Sequence, residues 1–203
     1  MKRFILINYM VLFIFFALSA QTQNNEIIVA KGQWEILPDK SELDFKIRNL
    51  WLSNVEGSIL ITTGIITVEE EILMSGVTVE IDPSTIATGN DKRDEHLRSR
   101  DFFYVDEYPS ITFLSTGFSP SKRKEFEYST RGTLTLRGVS HEVPVFFNFN
   151  GIKNQGDRKM ILINGEATVN RFDFNIDWKG MGVGEEATVT FNVMATEIKK
   201  TVK

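Results

Sequence analysis

The most restrictive feature of the sequence is a regular alternation of apolar and polar residues that recurs along much of the chain. It is cleanest in residues 41–49, where Leu43, Phe45 and Ile47 alternate with charged residues. A strand with one face on a core and the other in water requires this pattern. The same period returns in residues 77–81, 111–113, 126–136, 143–149 and 189–195. Parallel strands covered on both faces would instead show continuous apolar runs, so the strands are predicted to be antiparallel.

Turn residues separate these segments at the spacing typical of an all-β sandwich or barrel. Examples are the Asp-Pro-Ser of residues 82–84 and the Asn-Gln-Gly-Asp of residues 154–157. Gly132, at an inward position within a strand, indicates a bend or a close approach of the kind that a curling sheet needs. We predict an all-β fold, a closed antiparallel β-barrel of about eight strands. Such a lipocalin-like barrel encloses side chains or one apolar ligand.

A charged segment interrupts the strands at residues 90–100 and is predicted to be a short helix. Asn90 or Asp91 can cap it, with carboxylates in its first turn and arginines in its last. Leu97 is the only apolar residue in its body, so the helix cannot dock through an apolar stripe. We therefore expect a helical lid whose charges find polar partners on the barrel rim. The residues Arg137 and Gly138 are expected to form a hairpin turn.

The first residues have the layout of a secretory signal peptide. Lys2 and Arg3 precede an apolar run at residues 4–18, and Ser19 and Ala20 are small residues suited to cleavage. A transmembrane anchor is the alternative, but the run is shorter than the roughly 20 residues that a spanning helix needs. We expect a signal peptide at residues 1–20, a short linker at 21–32 and one domain at 33–200. The mature protein would then be periplasmic or secreted and not an integral membrane protein.

Composition argues against several function classes. The chain has no Cys, which excludes disulfides, thiol catalysis and Cys metal sites. Its net charge of -4 becomes -6 without Lys2 and Arg3, and its basic residues are interspersed with acidic ones, which disfavours nucleic-acid binding. The two histidines, His96 and His141, lack metal-site spacing, and no Gly-x-Ser-x-Gly elbow is present. We expect no catalytic residue, no metal and no cofactor, and hence not an enzyme.

The apolar strand faces leave two interpretations open. Their aromatic residues either fill a solid core or together line a tunnel for a long apolar chain. Polar residues of the lid region, Arg93, Asp94, His96 and Asp101, either contact a ligand at the tunnel mouth or form a network that pins the lid helix. Arg171 lies out of phase with the apolar residues that follow it, so it is expected to form an exterior ion pair.

Seven short motifs follow one another along the chain, at residues 39–41, 55–57, 93–97, 101–103, 108–109, 132–139 and 170–174. Their order resembles that of the YceI-like family of periplasmic proteins, which bind polyisoprenoid or related lipids. The chain resembles this family over roughly residues 33–197. It departs from the family at Lys40 and Asn49, where a His is usual, so any role of those imidazoles does not carry over.

The resemblance implies a binding protein that holds a long apolar lipid, a polyisoprenoid or an isoprenoid quinone-like molecule, for carriage, storage or stress sensing. Under this interpretation the lipid-binding residues are Leu43, Phe45, Ile47, Phe102, Phe103, Phe113, Phe126, Leu134, Phe147, Phe149 and Phe191. The alternative is a solidly packed barrel that serves as an interaction module of the cell envelope. A free strand edge would permit a homodimer, whereas closure of the barrel would remove that edge.

Overall fold

Antiparallel strands make up most of the structure, a computed structural model that describes residues 25–49, 53–178 and 182–199. The predicted signal peptide lies outside the described residues. Two helices are α1 (Asn25–Ile28) and α2 (Asp91–Arg98). The strands are β1 (Gly32–Ile36), β2 (Glu42–Asn49), β3 (Ser53–Val68), β4 (Gly76–Ala87), β5 (Ile111–Pro120), β6 (Tyr128–Leu136), β7 (Val139–Gln155), β8 (Arg158–Asn170) and β9 (Val183–Glu197).

The strands close into a ring with eight positions. Strands β2 to β9 pair in sequence order, and β2 also pairs with β9. Strand β1 occupies the same position as β2, because both run antiparallel to β3 and β9 and a 3₁₀ turn at Pro38–Lys40 joins them. Every strand in the described part of the chain therefore has a neighbour on both sides. The predicted closed antiparallel barrel is confirmed, and its closure covers the strand edges.

Strand β3 shows why the alternation of apolar and polar residues was not recognised in residues 53–68 of the sequence. Ile59 and Ile61 are buried, Thr62 and Thr63 are both exposed, and Ile66 is buried again. The pairing of β3 with β4 shifts between Ile61 and Thr63, so the inward positions change from odd to even numbers there. A β-bulge inserts one extra residue and has this effect. Each half of β3 alternates, but the bulge reverses the phase between the halves, so the whole strand shows no single period.

The connection between β6 and β7 is the predicted hairpin turn. Leu136 pairs with Val139, and the two residues between them, Arg137 and Gly138, have φ angles of 53° and 71°. Positive φ at both central residues is the mark of a type I′ turn, whose twist matches that of the flanking strands. The Arg137 guanidinium also donates to the backbone carbonyl oxygens of Arg100 and Asn175, which ties together the loops at this end of the barrel.

The opposite end of the barrel is closed by the N-terminal segment. Ile27 and Ala30 are fully buried, and the indole N–H of Trp34 donates to the Ala30 carbonyl oxygen at 2.6 Å. The structure differs here from the expected linker at residues 21–32, because residues 25–31 contain a helical turn and two buried apolar side chains and lead directly into β1. Burial of those side chains gives the segment a fixed place. We call residues 25–31 the plug.

Helix α2 covers the other end. The Asn90 side chain accepts a hydrogen bond from the Arg93 backbone N–H at 3.0 Å, so Asn90 is its cap. Arg98 donates to the carbonyl oxygens of Ile86 at 3.1 Å and Ser84 at 3.3 Å, both in β4. For Arg98 the predicted polar partners on the rim are therefore backbone carbonyl oxygens. We call the end of the barrel under α2 the lid end.

Candidate functional site

An internal cavity of about 580 Å³ lies within the barrel. Its wall is formed by inward-facing aliphatic and aromatic side chains from the strands, together with residues of the lid region and of residues 171–178. Five of the lining residues are polar or charged: Asp44, Arg93, His96, Thr130 and Arg171. The volume falls within the usual range of about 300–1,000 Å³ for small-molecule sites. Such a wall binds an apolar molecule through burial of its surface.

Most of the residues singled out from the sequence meet at this wall. The nine that line the cavity are Leu43, Phe45, Ile47, Phe102, Phe103, Phe113, Leu134, Phe147 and Phe191. For the lining residues that lie on strands, the alternation alone predicts an inward position, because every second residue of a strand faces the interior. Phe126 and Phe149 are not among the lining residues of this cavity.

Phe126 lies on the outside of the barrel. Strand β6 begins only at Tyr128, so Phe126 belongs to the preceding connection, where strand alternation does not apply. Its ring lies 6.0 Å from that of Phe146, and the Arg123 guanidinium lies 4.9 Å and 4.7 Å from the two ring centroids. Arg123 also forms an ion pair with Glu166 at 2.7 Å. Phe126 therefore does not line the cavity, which corrects its place in the predicted lipid-binding site.

Phe149 points inward but belongs to the packed half of the barrel. It is 5% exposed and lies in one cluster with Ile27, Trp34 and Ile161, next to the plug. A second cluster, which includes Phe102 and Phe174, lies at the lid end. Apolar side chains therefore pack together at the plug end, and a cavity lies within the barrel, so the apolar faces do not form a solid core throughout.

The polar lid residues form two pairs, Arg93 with Asp94 and His96 with Asp101, and the first pair meets at Thr88. Asp94, only 7% exposed, accepts hydrogen bonds from the backbone N–H of Thr88 at 3.0 Å and from its hydroxyl group. Arg93 donates to the Thr88 hydroxyl oxygen at 2.7 Å and to its carbonyl oxygen at 3.0 Å. The Thr88 hydroxyl is the main cause that lowers the pKa of Asp94, with a smaller contribution from Arg98, while burial opposes it. The carboxylate thus holds the start of the lid to the end of β4.

The second pair is His96 and Asp101. His96 Nε2 lies 3.0 Å from Asp101 Oδ2, and the imidazole ring meets Phe102 and Trp178 edge-on at centroid distances of 5.0 Å and 5.5 Å. Arg93 and His96 line the cavity, whereas Asp94 and Asp101 do not. Asp94 therefore attaches the lid to Thr88, the His96–Asp101 pair lies within the lid segment, and the two basic residues line the cavity.

Arg171 is buried, contrary to the expected exterior ion pair. It is 8% exposed, lines the cavity and donates to the carbonyl oxygens of Gly184 at 2.8 Å and Ile176 at 2.5 Å. Residues Arg171–Phe174 form a 3₁₀ turn, in which residues three apart share a side. Arg171 and Phe174 are therefore both buried, while Phe172 is 38% exposed. The error came from applying the strand period to a turn.

Other wall residues escaped the sequence analysis altogether. Ile59 and Ile61 belong to the bulged strand β3, and Trp178 lies beyond β8 in a segment without periodicity. Of the two positions that depart from the family pattern, Lys40 is exposed and donates to Gln155 on the outer surface. The side chain of Asn49 lies outside the described residues. In the part of the chain that the structure covers, no three His, Asp or Glu side chains are grouped to hold a metal ion.

Comparison with known proteins identifies relatives of this barrel. The sequence profile of the YceI-like domain matches residues 34–195. A UPF0312 protein of Staphylococcus aureus strain MSSA476 is 33% identical over 170 residues, which cover 75% of this chain and 93% of that protein. No helix among the described residues is long and apolar enough to cross a membrane.

Solved structures share the fold. The Campylobacter jejuni YceI protein has a TM-score of 0.62 and 24% identity, covering 74% of this chain and 89% of its own. A polyisoprenoid binding domain from Saccharophagus degradans also has a TM-score of 0.62, with 14% identity and coverage of 81% and 98%. At these identities the likeness shows a common lipocalin-like barrel architecture.

Proposed function

Because the chain belongs to the YceI-like domain family, we propose that it binds a long apolar lipid inside its barrel. The proposed ligand class is a polyisoprenoid or an isoprenoid quinone-like molecule. The observation that carries the proposal is the cavity of about 580 Å³ with its almost wholly apolar wall. Each methylene group buried there contributes roughly 0.8 kcal/mol, so several prenyl units would bind without any charge.

Two further observations support this ligand class. The domain from Saccharophagus degradans, which shares the fold, is described as polyisoprenoid binding. The barrel is closed at one end by the plug and covered at the other by α2, so a bound chain would be shielded from water along its length. We propose that the shielded lipid is carried, stored or sensed. The signal-like residues 1–20 support a place of action in the periplasm or outside the cell.

The first experiment is an organic extraction of the protein purified from its own secretory compartment, followed by mass spectrometry of the released material. The proposal expects a stoichiometric long-chain isoprenoid or quinone. Release of no lipid, together with no uptake of a fluorescent apolar probe by the extracted protein, would contradict it. That result would favour the interaction module that acts through its outer surface.

A pair of variants on neighbouring residues of β8 tests the location of binding. Ala167 is 9% exposed and lines the cavity, whereas Thr168 is exposed on the outer face of the same strand. Ala167→Phe would fill part of the cavity and is expected to lower probe affinity about tenfold or more, with a stability loss of about 1–3 kcal/mol from overpacking. Thr168→Phe adds the same ring outside and should leave affinity unchanged. Equal affinity of both variants would contradict an internal site.

A further inference from the structure

We propose that the lipid held in the barrel carries an anionic headgroup, a carboxylate or a phosphate, and that Arg171 binds it at the lid end of the cavity. The inference rests on the proposed lipid binding and adds the chemistry of the ligand's polar end. It starts from the position of a guanidinium group in the wall of a mostly apolar cavity, whose other polar or charged lining residues are Asp44, Arg93, His96 and Thr130.

The Arg171 guanidinium has N–H donors that form no hydrogen bond to the described residues. A guanidinium group carries five N–H donors, and the backbone carbonyl oxygens of Gly184 and Ile176 take one each from Nε and Nη1. Among the described residues, Nη2 has no hydrogen-bond partner. The two occupied donors fix the plane of the group, because they hold it to β9 and to the segment that follows β8. The remaining donors can therefore meet a ligand without reorganisation, in the forked geometry that suits carboxylate and phosphate oxygens.

The Arg171 guanidinium lies 4.2 Å from the centroid of the Phe172 ring, a cation–π contact that offsets part of the cost of burying its charge. Although the Arg171 side chain is 8% exposed, no carboxylate in the described part of the chain lies within 4.0 Å of it. Asp177 and Glu185 attract it from farther away, and both are exposed to solvent. A buried cation without a close carboxylate remains costly, and a bound anion would lower that cost.

A second guanidinium group strengthens the same end of the cavity. Arg93 lines the cavity, donates from Nε and Nη2 to Thr88, and forms no ion pair within the described residues. The adjacent Asp94 attracts Arg93, but its carboxylate accepts both of its hydrogen bonds from Thr88. His96, which also lines the cavity, is paired with Asp101. The charged lining residues of the lid and the 3₁₀ turn are thus the two arginines, Arg93 and Arg171, whereas the acidic lining residue, Asp44, lies on β2 and is exposed to solvent. The apolar tail is left for the wall of β-strand residues.

The test compares three probes of one chain length on the full domain: a long-chain fatty acid, the corresponding alkyl phosphate and the corresponding alcohol. The intact protein is expected to bind the two anions about tenfold or more tightly than the alcohol, as a charged hydrogen bond in a buried site would give. Arg171→Met should abolish this preference. Arg131→Met, which removes an exterior arginine paired with Glu142, should retain it.

The outcomes distinguish failure of the anionic headgroup from failure of the lipid site itself. Equal affinity of the intact protein for acid, phosphate and alcohol would overturn the anionic headgroup while the lipid site stands. Failure of all three probes to bind would overturn the lipid site as well. Should Arg171→Met fail to fold, the preference of the intact protein and its reduction in Arg93→Met decide the matter. Acetate and inorganic phosphate, added as free anions, should not displace the fatty acid; displacement by them would show a site for small anions in place of a lipid headgroup.

Discussion

Trp34 donates its indole N–H to the backbone carbonyl oxygen of Ala30 at 2.6 Å, and this bond joins the plug to the first strand of the barrel. Both residues are almost fully buried, with exposures of 2% and 0%. The carbonyl oxygen therefore has no access to water as an alternative partner. A buried acceptor that loses its donor carries the full cost of its desolvation.

Trp34→Phe is expected to lower the free energy of unfolding by about 1–3 kcal/mol from the unpaired carbonyl group, with a further loss from the smaller ring. Chemical denaturation measures the change. Val29→Ala, at a neighbouring plug residue that is 69% exposed, is the control and should change stability by less than about 0.5 kcal/mol. Equal stability of the Trp34→Phe and Val29→Ala proteins would show that the plug contributes nothing to the fold.

Asp94 links stability to pH. Hydrogen bonds from Thr88 lower its pKa in the folded protein below the ordinary value of about 3.9, so the ionised group stabilises the fold above that pH. The contribution disappears as the pH falls through the folded-state value. Asp94→Asn should therefore cost about 1–3 kcal/mol at pH 7, and the difference from the unchanged protein should shrink below about pH 4. Denaturation at a series of pH values measures it.

Asp91→Asn provides the matched control for this experiment. Asp91 lies in the same first turn of α2, is exposed, and should give a much smaller effect at pH 7. A pH profile of Asp94→Asn that runs parallel to that of the unchanged protein would contradict the role assigned to the Thr88 contact.

The segments that could be predicted from the sequence are those in which one period holds without interruption by a bulge. In β2 no bulge interrupts the inward-facing Leu43, Phe45 and Ile47, so its face was predicted in full. Strand β3 has two halves in opposite phase around Thr62 and Thr63, and no single period describes it. Alternation holds within each half of β3 as it does in β2, but the bulge in β3 prevents it from being recognised in the sequence.

The site was less accessible to prediction than the fold. The composition of the lid showed that Arg98 needs a polar partner, but that partner is a backbone carbonyl oxygen, which every residue carries. Arg171 was misplaced because a 3₁₀ turn replaced the strand period. The cavity depends on how side chains from all strands of the ring pack together, and its volume has no local signal in the sequence.

The attachment of the lid gives a prediction about its motion. Arg98 donates to the carbonyl oxygens of Ile86 and Ser84, so Arg98→Ala removes these two polar contacts of α2 with β4 and leaves those of Arg93 and Asp94 with Thr88. Amide hydrogen exchange in residues 91–98 is expected to become about tenfold faster or more, because local opening loses a charge-assisted bond. Lys92→Ala, at an exposed position of the same helix, should leave exchange unchanged. Identical exchange in both variants would mean that other contacts hold the lid.

The close approach predicted at Gly132 is present, and it couples that residue to the cavity wall. A Cβ atom at Gly132 would lie 2.7 Å from Cε2 of the Phe113 ring and 2.8 Å from the Leu114 carbonyl oxygen, so the ring would have to move. Gly132→Ala is therefore expected to cost about 1–3 kcal/mol of stability through overpacking.

The smaller side chain of Phe113→Leu should relieve part of that strain. The effects of Gly132→Ala and Phe113→Leu are then expected to be non-additive, with a coupling free energy of about 1 kcal/mol in a double-mutant cycle measured by chemical denaturation. The sign matters: the double variant should be more stable than the sum of the single changes predicts. Strict additivity would show that the Leu114 carbonyl oxygen, a backbone atom that Phe113→Leu leaves in place, is what excludes a side chain at position 132.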